Sequence, residues 1–86
     1  MSNIVDELAD KLAKDVIAAA EELDDDLLPN RVAEVIGASS PSTEEAFRTA
    51  VRVRMAEARA RRFLAEQLAK GRAARQGDQE QAAKPV

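Results

Sequence analysis

Apolar residues recur at steps of three and four along residues 3–23, which is the spacing of an amphipathic α-helix. Charged residues such as Asp10 and Glu21 occupy the opposite side of this helix. Ser2 or Asn3 can accept hydrogen bonds from the first free backbone N–H groups and so begin the helix. The residues predicted to face the core are Ile4, Val5, Leu8, Leu12, Val16, Ala19 and Leu23.

A short second helix is predicted between a run of three aspartates and Gly37. Asp26 can cap its start, Pro29 fits its first turn because no N–H is needed there, and Gly37 can end it by taking a positive φ. Its apolar face consists of Leu28, Val32, Val35 and Ile36. Because three of these four are β-branched, a short strand over 31–36 is the alternative. We favour the helix, since apolar and polar residues do not alternate there and no partner strand is evident.

A long third helix is predicted from about residue 43 to Lys70. Ser42 and Glu45 match a capping box, and Pro41 lies where a helix can begin. Gly71 can end the helix.

The last residues, 72–86, have no apolar periodicity and are rich in Gln, Ala, Gly and charge. This composition predicts a disordered tail. The predicted organisation is therefore a single helical domain over residues 1–71, followed by that tail.

The third helix contains a heptad-like seam, in which steps of four and three alternate through Phe47, Val51, Arg54, Ala58, Arg61, Ala65 and Leu68. Two arginines thus occupy positions where a coiled coil places apolar groups, and such residues can fix register or partner choice. Their expected partners are acids of the first helix or of another chain. The predicted partner-binding residues are Phe47, Val51, Arg54, Ala58, Arg61, Leu64 and Leu68.

Composition points to a thin core. The chain has 86 residues, and 45% of them are apolar, but many of these are alanine and the only aromatic residues are Phe47 and Phe63. A core of this size favours self-association. The predicted fold class is therefore all-α, a helical hairpin of an amphipathic, a short and a long helix that completes a small bundle as a homodimer.

Charge is distributed unevenly along the chain. Residues 1–45 hold twelve acids and three bases, whereas residues 46–75 hold nine bases and two acids. An acidic half therefore precedes a basic half, and attraction between them is expected to help pair the helices, although each exposed ion pair contributes well under ~1 kcal/mol.

The residue inventory argues against an enzyme. Cysteine and histidine are both absent, which removes thiol chemistry, imidazole proton transfer and Cys/His zinc sites. The carboxylates of residues 24–26 lack the spaced ligands of a calcium loop and are best interpreted as solvated acids. We expect no catalytic residue, no cofactor and no metal. No apolar run approaches the roughly 20 residues of a membrane span, and no signal-peptide pattern is found, so a cytoplasmic protein without membrane contact is expected.

Residues 31–51, RVAEVIGASSPSTEEAFRTAV, admit two further interpretations. Ala33, four positions before Gly37, is typical of the first helix and turn of a helix-turn-helix unit. Against this, the following helix begins with Glu44 and Glu45, which phosphates would repel. The preferred explanation of the segment is a helix end, a loop and a helix cap.

The same segment is similar to dodecin, a small flavin-binding family that opens with a strand and then a helix. The matching residues are Val32, Glu34, Gly37, Ser39, Ser42, Glu44, Glu45, Ala46, Ala50 and Val51. The resemblance covers about a quarter of the chain. The tryptophan and the two long strands of that family have no counterpart here, so the resemblance carries over neither its flavin site nor its oligomer.

The function predicted from sequence is a small non-enzymatic helical interaction module, such as a regulator, adaptor or accessory subunit, whose partner is a protein and foremost a second copy of itself. The alternative is a small DNA-binding regulator that uses residues 31–51 or the arginine-rich third helix. The overall acidity, with an isoelectric point near 4.9, favours the first function over nucleic-acid binding.

Overall fold

The chain folds into three helices in a computed structural model that describes the backbone of residues 3–83 and the side chains of residues 3–77. Helix α1 spans Ile4–Leu23, α2 spans Leu28–Gly37 and α3 spans Pro41–Ala83. The described residues contain no strand, which confirms the all-α class. The strand alternative for residues 31–36, together with the opening strand implied by the dodecin resemblance, is wrong.

Two compact units make up the chain, residues 1–56 and residues 57–86. The first unit contains the core, in which α1 contributes Ala9, Ala13 and Val16, α2 contributes Ala33 and α3 contributes Phe47. In the second unit the described side chains, residues 57–77, are all exposed. Among the described side chains, Phe47 is thus the single large one that the three helices bury completely.

Helix α1 buries a different part of its surface from the one predicted. Ala9 and Ala13 are 2% and 0% exposed, whereas the larger Ile4, Leu8 and Leu23 are 68%, 57% and 65% exposed. Of the seven predicted core residues, Val16 alone is buried, at 7% exposed, and Val5 and Ala19 are half-buried. Small side chains let neighbouring helices approach closely, and two neighbours cover only one side of so wide an apolar arc.

The turn between α1 and α2 is set by two aspartates. Asp24 ends α1 in the left-handed conformation, with φ 51° and ψ 48°, and the Asp25 N–H donates to the carbonyl of Ala20 at 2.9 Å. The Asp25 side chain also accepts a hydrogen bond from the N–H of Leu27 at 3.1 Å. The prediction that Asp26 caps α2 is therefore wrong, because the carboxylate that accepts a backbone hydrogen bond in this turn belongs to Asp25. Pro29 does lie in the first turn of α2, as predicted.

Replacing Asp24 with glycine is expected to raise the free energy of unfolding by about 0.5–1 kcal/mol, because glycine takes a left-handed conformation without steric cost. Urea denaturation followed by circular dichroism measures the change. Asp26→Gly is the matched control and should not stabilise the chain, since Asp24 is the one non-glycine residue with a positive φ among residues 3–83.

The connection between α2 and α3 also differs from the prediction. Gly37 does not adopt a positive φ; instead it leaves room for Glu44, whose Cδ would lie 2.8 Å from an added Cβ. Ser40 caps α3, because its hydroxyl accepts from the N–H of Thr43 at 3.3 Å. The predicted capping box of Ser42 and Glu45 is wrong: α3 begins at Pro41, which places Ser42 already inside its first turn.

Helix α3 continues past Gly71 to Ala83, so the predicted helix end at Gly71 is wrong. A glycine inside a helix costs only about 1 kcal/mol relative to alanine, and the alanine, arginine and glutamine residues around it are good helix formers. Residues 72–83, which composition assigned to a disordered tail, are therefore helical, and residues 84–86 lie outside the described part of the chain. That residues 72–86 are dispensable for folding stays a prediction.

Removing residues 72–86 is expected to leave the melting temperature within a few degrees of that of the full chain. The side chains of residues 72–77 are exposed, so their loss removes little buried apolar surface. Thermal denaturation at equal chain concentration tests this. A large drop in melting temperature would show that the segment contributes to packing.

Candidate interaction surface

An uncovered apolar ridge runs along the outer side of α1. It consists of Ile4, Leu8 and Leu12, which are 68%, 57% and 38% exposed and follow one another at steps of four. We call these three residues the α1 stripe. Glu7, Lys11 and Asp15 alternate with them and are exposed as well. Apolar side chains aligned in this way on an exposed helix face make the α1 stripe a candidate surface for packing against another element.

The second unit carries a similar ridge, formed by Ala60, Leu64 and Leu68 and called here the distal stripe. All three are exposed, with Leu64 at 56% and Leu68 at 46%. The steps are again four residues. Nearby on the helix are Arg61, which pairs with Glu57 one turn earlier, and the basic residues that follow Lys70.

Arg54 joins α3 to α1. Its Nε and a terminal nitrogen donate to the two carboxylate oxygens of Asp10 at 2.7 and 2.8 Å. The hydrogen bond from Arg54 lowers the pKa of Asp10 below its ordinary value, against a smaller opposing effect of desolvation; the positive charges of Arg54 and Lys14 lower it further. The sequence-based expectation that Arg54 meets an acid of the first helix is confirmed. Arg61, by contrast, pairs within its own helix.

Asp10→Asn is expected to destabilise the chain at neutral pH and to have little effect in acid. Because Arg54 holds the pKa of Asp10 below its unfolded-state value, the ion pair stabilises the fold above about pH 4. That contribution is lost as the pH falls through the lower folded-state pKa. Urea denaturation at pH 7 and at about pH 2 measures the difference, with Asp15→Asn as the control. An equal loss of stability at both pH values would contradict the prediction.

The other arginines of the first unit also contact carboxylates of their own chain. Arg48 donates to Glu44 at 2.9 and 3.0 Å and to the side-chain oxygen of Asn30 at 2.8 Å, which ties α3 to α2. Arg31 pairs with Asp25, and Arg52 lies 3.8 Å from Glu45. Much of the positive charge on this part of α3 is therefore neutralised within the chain.

The predicted partner-binding residues fall into two groups. Phe47 is buried, Val51 is half-buried against the core and Arg54 contacts Asp10, so these three are engaged within their own chain. The remaining four are exposed, and their role in binding a partner stays a prediction. These residues are Ala58, Arg61, Leu64 and Leu68. The hydrophobic pattern places the α1 stripe in the core and so does not identify it as a surface. The signal that distinguishes the two apolar faces of α1 is the separation of its leucines from Ala9 and Ala13 around the helix.

A shallow cavity of about 240 Å³ lies where the start of α2 faces α3. Its apolar walls are Pro29, Phe47, Val51 and Met55. Arg48, at its rim, is held by Glu44 and Asn30. The cavity is thus a surface depression beside the core, large enough for one apolar side chain of a partner.

Residues 38–40 connect α2 to α3, and a connection of three residues is within the range that helix-turn-helix units use. The N-terminal turns of α3 present Glu44 and Glu45, and each of them pairs with an arginine further along the same helix. The end of the helix that would enter a DNA groove is therefore acidic, with its nearest arginines already occupied.

Neither a membrane span nor a metal site is present in the part of the chain that the structure describes. Its helices include none that is long and apolar enough to cross a membrane, and its carboxylates form no group of three or more that could hold a metal ion.

No protein-family model matches the chain, and comparisons with curated proteins and with solved structures find no significant similarity either.

Proposed function

We propose that the chain is a small non-enzymatic helical interaction module, a regulator, adaptor or accessory subunit that binds protein, and that it forms a homodimer. The α1 stripe carries this proposal. Two residues of that stripe, Ile4 and Leu8, are more than half exposed in one chain. Burying a large aliphatic side chain contributes roughly 1.5–3 kcal/mol, so covering several of them supplies much of the free energy that a micromolar complex needs.

Light scattering between about 1 and 100 µM tests this function, because a dimer of micromolar affinity changes its average mass in that range. We expect a dimer. Leu8→Glu should abolish it by placing a charge in the stripe, while leaving the helical circular dichroism signal intact. Ala18→Glu, at another exposed position of α1, is the matched control and should still dimerise. A wild-type monomer throughout the range would overturn the proposed homodimer.

DNA binding is the second candidate function, because α2, the three-residue turn and α3 have the connectivity of a helix-turn-helix unit and residues 57–86 carry seven bases against four acids. Mobility-shift titrations at two salt concentrations, on the wild type and on Glu44→Gln/Glu45→Gln, test it. We expect no specific complex below micromolar concentration. A tight complex with one sequence that weakens steeply with salt, and that the double variant strengthens, would make the DNA-binding function correct.

A further inference from the structure

We propose that the α1 stripe of one chain binds the distal stripe of a second copy, so that two chains exchange two identical contacts. This inference rests on the proposed homodimer and names its surfaces. Both stripes are exposed within one chain. In the proposed dimer, the cover for each stripe is the other kind of stripe on a second chain.

The two stripes match in shape. Each consists of three residues at i, i+4 and i+8, and thus extends over about 12 Å of helix. Ridges of this spacing pack into each other when two helices cross, in the commonest class of helix packing. Leu8 and Leu64 are the middle residues of their stripes. They would therefore meet near the crossing point whichever way the two helices run.

The two surfaces also match in charge. Residues 1–56 carry twelve acids and six bases, a net charge of −6, whereas residues 57–86 carry seven bases and four acids, a net charge of +3. Two first units would repel each other, and so would two second units. Pairing the α1 stripe with the distal stripe brings opposite charges together, which favours this arrangement over either self-pairing.

The proposed dimer uses this pairing twice, related by a twofold axis. The α1 stripe of one chain contacts the distal stripe of its partner. The distal stripe of that same chain contacts the α1 stripe of its partner. A dimer in which both contacts form leaves neither stripe uncovered, so light scattering should report two chains and no larger assembly.

Disulfide trapping tests the pairing, and it is clean because the chain has no cysteine of its own. Leu8→Cys and isotopically labelled Leu64→Cys are mixed at equal concentration and oxidised with glutathione disulfide, which is reduced to glutathione, and the products are counted by mass. A disulfide needs Cα atoms within about 7 Å, so we expect the mixed product to exceed either single-variant product by at least about fivefold. Leu8→Cys mixed with Phe63→Cys is the control: Phe63 is exposed on another side of the helix and should give no excess of the mixed product.

The other outcomes separate this inference from the homodimer itself. Single-variant disulfides that exceed the mixed product, in a wild-type chain that scatters as a dimer, would overturn the pairing and leave the proposed function in place. A disulfide formed inside one chain of Leu8→Cys/Leu64→Cys at high dilution would show that a chain covers its own stripe, and would also overturn the pairing. A wild-type chain that stays monomeric up to about 100 µM would overturn the homodimer and the pairing together.

Discussion

Phe47→Ala is expected to lower the free energy of unfolding by about 3–5 kcal/mol. Phe47 is 1% exposed, and its neighbours in the core include Ala9, Ala13 and Ala33. Alanine side chains cannot extend into the space that the ring would leave, so most of the cavity would persist. Small domains have total stabilities of about 5–15 kcal/mol, and this one, with its small core, should be near the lower limit. The variant should therefore be largely unfolded at physiological temperature.

Circular dichroism during urea denaturation measures this effect, since the chain has no tryptophan for fluorescence. Phe63→Ala is the matched control because it removes the same side chain from the same helix at a position that is 62% exposed. The control should change the stability by less than about 0.5 kcal/mol. Equal losses in the two variants would show that Phe47 does not organise the core.

Ala33→Leu is expected to cost about 1–3 kcal/mol, because the larger side chain has no space where α2 packs against the core. Ala33 is 0% exposed. Leucine has a slightly lower helix propensity than alanine, by a few tenths of a kcal/mol, so nearly all of the loss would come from overpacking. The same substitution at the exposed Ala18 of α1 controls for propensity. A neutral Ala33→Leu would indicate that α2 can move away from α1 at little cost.

Local sequence determined the helical elements of this protein. Asn3 caps α1 with a hydrogen bond to the N–H of Val5 at 2.9 Å, as its position before an apolar-periodic segment predicts. Pro29 and the spacing of apolar residues place α2 between the aspartates and Gly37. These features depend on interactions within a few residues, and residues close in sequence report on such interactions directly.

Turn geometry was harder to predict than helix location. Three adjacent aspartates can each end a helix or cap the next, and only the path of the chain decided that Asp24 takes the left-handed conformation and that Asp25 accepts the hydrogen bond. In the same way Ser40, rather than Ser42, caps α3. Several equivalent side chains compete at each turn, and the backbone direction that the packed helices require selects among them.

The buried side of α1 was decided by tertiary structure alone. The hydrophobic pattern describes one wide apolar arc that contains both leucines and alanines, and it ranks the leucines as core because they are the more apolar. Packing selected the alanines, since Ala9 and Ala13 let the neighbouring helices come close and surround Phe47. The hydrophobic pattern of a sequence indicates how much apolar surface a helix has. The shape of the neighbouring helices determines which part of that apolar surface is buried. This packing leaves Ile4, Leu8 and Leu12 uncovered, and they form the α1 stripe on which the proposed function rests.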